Sequence, residues 1–138
     1  GLARATAAHA FVAECLLPIQ RDLVILMGEL ATAVEDLPRY VMDDFKVVTP
    51  ELTSKIDAVV REVEAQHVSF TGWATPGDNL NSAALDVART VCRRAERHVV
   101  KLHEEKQLKN PEIIIYLNRL ADALWLLARW VETQHAAN

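Results

Sequence analysis

Cysteine is nearly absent from this chain. Only Cys15 and Cys92 occur among its 138 residues. They are too few and too far apart for a disulfide framework or a zinc cage, and the simplest reading is reduced thiols in a cytoplasmic protein. Glycine (4) and proline (5) are scarce, while Ala, Leu, Val, Arg and Glu dominate, a balance that favours helix. No apolar run approaches the roughly 20 residues that span a bilayer, so no membrane partner is expected. The basic-then-apolar-then-small pattern of a secretory signal is missing from the N-terminus. Positive charge is not in excess either. The formal net charge is −4 and the pI is near 5.7, which argues against a general nucleic-acid binder.

What remains is helical periodicity in a chain the size of one domain, read as a single bundle over residues 1–138. Gly1–Ala10 reads like the middle of a helix with no cap before it, so the pattern predicts a chain trimmed or lacking its natural start. Helical spacing continues from about Phe11 to Val34, with Leu16, Leu17, Ile19, Leu23, Leu26, Met27 and Leu30 on the apolar side. Pro18 predicts a kink or break within it. Residues 35–38 read as its end and 39–48 as an irregular connection. Thr49-Pro50-Glu51 is a helix start, with a threonine cap, proline at the first position and an acid in the first turn. That helix runs to about Gln66, with Leu52, Ile56, Val59, Val60 and Val63 inward. A loop with Phe70 and Trp73 follows. Asn79 or Asn81 caps a helix reaching about Lys106, and Asn110-Pro111-Glu112 opens a last helix ending near Gln134. No run reads convincingly as a strand. The expected fold is all-α, a compact antiparallel bundle of four or five helices.

The segment Arg89–Arg97 runs against the acidic balance, with Arg89, Arg93, Arg94, Arg97 and a single Glu96. At about 100° per residue, Arg89, Arg93, Glu96 and Arg97 share one helix face and Arg94 points away. Packing has no use for such a cluster, because arginine is seldom buried without a partner. Converging guanidinium groups suit phosphate. The bland alternative is a solvated face laced by Glu96 pairs at i,i+3 and i,i+4.

Three segments together resemble the propanediol-utilisation type of ATP:cob(I)alamin adenosyltransferase. They are Ala84–Arg97 around the arginines, Tyr116–Trp130 with Asn118, Arg119, Leu120 and Asp122, and the loop Trp73–Gly77. Pro18–Leu23 is similar to the family's second-helix opening. The resemblance implies a trimeric helical bundle with sites between subunits. It also implies transfer of the 5′-deoxyadenosyl group of ATP to the cobalt of cob(I)alamin, with triphosphate released, magnesium accompanying ATP and a reductase as partner. Cobalt(I) is itself the nucleophile, so the protein needs no general base and works by binding a polyanionic leaving group and orienting the reactants. By resemblance, Arg93 holds the triphosphate. Arg89 forms a structural ion pair and supports the nucleotide. Glu96 orients the arginines or a metal-bound phosphate, and Asn118 hydrogen-bonds the nucleotide. Arg97 is a weaker candidate on the same face. Trp73 stands where the family usually has phenylalanine, beneath the corrin, where an apolar ring excludes the lower axial ligand and eases reduction of cobalt(II). The bland alternative for Trp73 is an anchor plugging the bundle end.

The sequence departs from the family in lacking its N-terminal Gly/Thr/Asp-rich phosphate loop and the Asp-Glu-Leu-Asn motif that supplies an acidic partner for Arg89. Asp86 stands where histidine is common and Asp78 where a second glycine is common, and an extra acid near phosphates weakens anion binding. A non-catalytic corrinoid- or nucleotide-binding homologue is the alternative. The Glu64/His67 and Glu132/His135 pairs have the spacing of di-iron bundles, but both lie at helix ends, so a ferritin-like metal bundle is a distant third and no metal ligand is assigned. His98 and His103 read as surface residues, and Trp125 and Trp130 as core packing.

Overall fold

The computed structural model of the chain describes residues 1–70 and 72–137, the last in its backbone alone. Thr71, part of the loop read from the sequence, lies outside the described residues. Among those described there are six α-helices and no strand: α1 (Leu2–Ala5), α2 (Ala10–Leu30), α3 (Leu37–Met42), α4 (Pro50–Glu64), α5 (Leu80–Glu104) and α6 (Glu112–Ala137), with a short 3-10 turn at Val34–Asp36. The expected all-helical bundle is what forms. No described helix is long and apolar enough to cross a membrane.

The last helix is the centre of the bundle. α6 packs most extensively against α5 and next against α4. It buries Ile113, Tyr116, Leu117, Leu120, Leu124, Leu127 and Trp130, and these meet Val12, Leu16, Ile19 and Leu26 of α2, Ile56 and Val63 of α4, and Leu85, Cys92 and Val99 of α5. The i, i+3/i+4 spacing of each set turns one stripe of each helix inward. Met27, expected inward, is instead 58 % exposed.

Local chemistry sets the helix starts. Asn79 caps α5 by accepting from the Ser82 N–H at 2.8 Å, and the Ser82 hydroxyl oxygen accepts from the Asn79 N–H at 3.3 Å, a reciprocal capping box. Asn110 Oδ1 accepts from the Glu112 N–H at 3.1 Å and opens α6. Thr49 holds the N-cap position of α4 but makes no side-chain cap bond. The Glu51 carboxyl titrates below its ordinary value instead, because its own backbone N–H donates to it and, next in weight, the Thr49 hydroxyl.

Three expectations are narrowed or corrected. The opening segment is not the middle of a helix, since α1 ends at Ala5 and Thr6–His9 separate it from α2. The Thr6 hydroxyl donates to the Leu2 carbonyl at 2.9 Å, closing that short helix. Of the kink or break expected at Pro18, the break does not occur, because α2 runs through it. Its ring and Glu14, whose carbonyl loses its partner there, both face solvent, where water can hydrate the freed group. Residues 37–42, read as the end of the preceding helix and the start of an irregular connection, form α3. Gly28 of α2 allows α3 to approach, because a Cβ there would sit 2.5 Å from the Tyr40 hydroxyl.

Buried polar bonds tie the helices together. Asp22 of α2 is buried and pairs with Lys55 of α4 at 3.1 Å. Glu29, near the end of α2, accepts from the Val48 N–H at 2.6 Å. Asn81 of α5 donates to the Ala3 carbonyl at 2.7 Å and holds α1 against the start of the arginine helix.

Candidate functional site

α5 carries the arginine face and α6 lies antiparallel beside it. The Cys92 thiol, buried between them, donates to the Leu117 carbonyl at 3.2 Å. One turn on, Glu96 Oε2 accepts from Asn118 Nδ2 at 3.3 Å. These two sequence-predicted residues therefore meet across the helix pair. The solvated-face alternative required Glu96 to pair with the arginines of its own helix. Among the described residues it does not, and Arg89 and Arg93 have neither an ion pair nor a hydrogen bond. The ion pair expected of Arg89 is accordingly not made by any described residue.

The arginines part company in their surroundings. Arg93, Arg94 and Arg97 are exposed, whereas Arg89 is half-buried. Arg89 lines an open groove of about 480 Å³ together with Asp57, Arg119, Asp122, Phe70 and Trp125. Arg119 Nε lies 3.6 Å from Asp57 Oδ1, a link between α6 and α4. Asp122 is exposed at the groove one turn beyond Asn118 on the same helix, which the sequence reading left unused.

Trp73 is 99 % exposed. The bundle-plug alternative therefore fails, and within this chain its ring is not buried. It lines a second groove of about 380 Å³, with Phe70, Asp78, Trp125, Arg129 and Glu132 among its neighbours. Phe70 and Trp125 belong to both grooves. Their rings stack with centroids 5.9 Å apart and planes 7° from parallel. This pair is the wall between the groove of Arg89 and the groove of Trp73. Trp125, read as core packing, is thus half-buried at the site, while Trp130 is in the core.

The sequence reading also missed Arg129. Its side chain is buried on α6, and Nη2 donates to Asp86 Oδ2 of α5 at 2.7 Å and to Glu132 Oε1 at 3.0 Å. Nε lies 2.8 Å from Glu132 Oε2, without the alignment of a hydrogen bond. Burying a guanidinium is costly unless it is paired and hydrogen-bonded, and two carboxylates meet that condition. Asp86, expected as a surplus acid near the phosphates, is neutralised by Arg129. Glu132, one member of the second di-iron-type pair, is likewise occupied. Among the described residues no three His, Cys, Asp or Glu side chains gather in a way that could hold a metal ion. His98 and His103 are exposed.

Burial pushes the Cys92 thiol up to about 12 and the Cys15 thiol up to about 11, with nearby glutamates adding to both. Neither is a nucleophile near neutral pH. The exposed guanidinium groups and the amide–carboxylate pair offer anion binding and orientation, and the aromatic wall offers an apolar surface.

Comparison with known proteins gives the arrangement a family. The sequence profile of cobalamin adenosyltransferases matches residues 1–131. A corrinoid adenosyltransferase of Citrobacter freundii is 32 % identical over 133 residues, covering 96 % of this chain and 73 % of that protein. A corrinoid adenosyltransferase of Bacillus subtilis (strain 168) is 32 % identical over 119 residues, 86 % of this chain and 58 % of its own. A cobalamin adenosyltransferase of Cupriavidus metallidurans is 36 % identical over 118 residues, again 86 % and 58 %. The chain thus spans somewhat over half the length of the last two.

Proposed function

Because the chain belongs to the cobalamin adenosyltransferase family, we propose that it transfers the 5′-deoxyadenosyl group of ATP to the cobalt of cob(I)alamin. The cobalt(I) electron pair forms the cobalt–carbon bond at C5′, the C5′–oxygen bond breaks, and triphosphate leaves with that oxygen. The protein supplies no base and no nucleophile. Its contribution is a fixed set of cations for the departing polyanion and a geometry that holds the two reactants in line.

The observation that carries this reading is the set of uncommitted guanidinium groups of Arg89 and Arg93 on the helix whose Glu96 engages Asn118. Groups without an internal partner are available to an anion. In this proposal Arg93 binds the triphosphate and Arg89 supports the nucleotide from its groove. Asn118 hydrogen-bonds the nucleotide, and Glu96 holds Asn118 in place. Trp73 lies against the lower face of the corrin. Among the described residues no magnesium cage forms, and Glu96 offers one half-buried carboxylate that already accepts from Asn118. Magnesium enters only as a counter-ion travelling with ATP, and no step is routed through it.

A homotrimer with sites between subunits belongs to the same proposal. It is supported by the exposure of Arg93 and Trp73, which one bundle leaves open on its surface. The test of the whole reading is to mix the chain anaerobically with ATP and chemically reduced cobalamin, and to follow appearance of the light-sensitive cobalt–carbon bond and of inorganic triphosphate in equal amounts. Absence of both products, with neither ligand bound, rejects it.

A further inference from the structure

We propose that Arg129, clamped between Asp86 and Glu132, is a positioning residue that seats the loop carrying Trp73. Three side chains spaced four apart on α6, Trp125, Arg129 and Thr133, fall on one helix face. The first residues of the loop dock on that face by two routes, one through the Arg129 guanidinium and one through Thr133, whose hydroxyl rests on the Arg129 backbone carbonyl.

The first route is made of side chains. The Arg129 guanidinium lies over the Trp125 ring, 5.4 Å from its centroid, and Phe70 stacks on the same ring. A guanidinium held over an aromatic ring attracts it electrostatically and fixes its plane. The second route is polar. The Thr133 hydroxyl donates to the Arg129 carbonyl at 2.9 Å, and its oxygen accepts from the Ser69 N–H at 3.0 Å. Ser69 and Phe70 are thereby pinned at adjacent positions, a few residues before the exposed Trp73.

The clamp gives the seat its orientation. Glu132 sits on the same helix as Arg129, so its bonds alone would leave the guanidinium free to follow α6. Asp86 lies on α5, one turn before Arg89. Its bond ties the guanidinium, and with it the Trp125 plane, to the helix that carries the arginine face. The aromatic wall is thus referenced to both helices, and the loop is referenced to the wall. Asp86 and Arg129 touch neither Arg93 nor Asn118 among the described contacts, so the device acts on the Trp73 side.

Asp86→Asn keeps the shape and leaves Arg129 paired with Glu132, so the bundle should still fold, as far-ultraviolet circular dichroism would show. Amide exchange at Ser69, whose N–H donates to Thr133, read by NMR on the full chain without ligands, should quicken at least five-fold, while exchange in the middle of α6 stays unchanged. Phe70→Leu, at a 60 % exposed position outside the core, should quicken the Ser69 amide similarly with Arg129 untouched. Asp86→Glu, which keeps the charge, should restore most of the protection. With ligands, Asp86→Asn should lower the four-coordinate cobalt(II) resonance at least five-fold and leave the Kd for ATP within about three-fold. Unchanged loop exchange in Asp86→Asn overturns the proposal, as does a loss of ATP affinity equal to the loss of the cobalt signal. The inference about the corrin step rests on the proposed transferase reading. Should the wild-type chain bind neither ATP nor corrinoid, that reading fails alone, because the exchange measurements decide the seat without either ligand.

Discussion

Glu29 and Asn110 are 81 residues apart in sequence, yet Asn110 Nδ2 lies 3.2 and 3.0 Å from the two carboxylate oxygens of Glu29. The same amide nitrogen donates to the Val48 carbonyl at 2.8 Å, and the Val48 N–H donates back to Glu29. The last turn of α2, the segment before α4 and the cap of α6 are therefore closed into one polar knot around the buried Glu29.

Asn110→Ala removes the charge-assisted bonds from Glu29, the bond to the Val48 carbonyl and the cap of α6 together. A loss of about 2–3 kcal/mol is expected, since a bond to a charged group contributes about 1.5–3 kcal/mol and a partly unsatisfied buried carboxylate remains. The melting temperature should fall by roughly 6–12 °C. Calorimetry showing a change under about 2 °C would mean that water satisfies Glu29 as well as the amide does.

Arg93→Ala should cripple adenosyl transfer without touching the fold, because the side chain is exposed and makes no bond among the described residues. Loss of a charge-assisted phosphate contact is expected to raise the barrier by about 2–4 kcal/mol, which is some 30- to 1,000-fold in kcat/KM. Arg93→Lys should also be impaired, since an ammonium cannot reproduce the planar fork. Steady-state kinetics on both variants check this, and near-normal turnover of the alanine variant would leave Arg93 as surface charge.

Trp73 is expected to act on the corrinoid and not on ATP. Trp73→Ala should weaken the electron paramagnetic resonance of four-coordinate cobalt(II) formed in the presence of ATP and leave nucleotide affinity within a few-fold. Its melting temperature should not move, because a side chain 99 % exposed contributes no burial in the isolated chain. Trp73→Phe should preserve or improve activity. Weakened ATP binding with an unchanged cobalt spectrum would remove Trp73 from the corrin.

The buried thiols make stability fall in alkali. With Cys92 held up to about 12 and Cys15 up to about 11 by burial, the folded chain keeps protons that the unfolded chain releases near pH 9. Stability from this source is full below pH 9 and is lost as the pH climbs towards 11 and 12. Denaturation midpoints measured between pH 8 and 10.5 should decline, and Cys92→Ala should decline less steeply.

Much of this architecture can be read along the chain because its causes are local. Asn79, Asn110 and Pro50 mark helix starts through chemistry confined to a few residues, and those starts are where the structure has them. The break at Thr6–His9 has no glycine or proline to announce it. It follows from packing of α1 against α5 through Asn81, a contact made across the bundle. The helix at Leu37–Met42 was hidden because Pro38 reads as a stop, although proline is well tolerated in a first turn. At the site, the arginine face was legible since its residues share one helix and one period. Arg129 was not. Its partners come from two helices, and a lone arginine amid apolar residues looks like an ordinary polar position until Asp86 is placed beside it. The recurrence of Trp125, Arg129 and Thr133 at every fourth residue was the available signal.

The Phe70–Trp125 wall has two faces, and that limits how the protein can be redesigned. A smaller residue at position 125, introduced to admit a bulkier substituent on one side, also removes the surface that bounds the other. Under the proposed transferase function, libraries aimed at altered nucleotides or altered corrinoids would therefore find their gains entangled at this position. Positions that border only one groove, such as Asp57 or Thr75, are where the two selectivities can be varied separately.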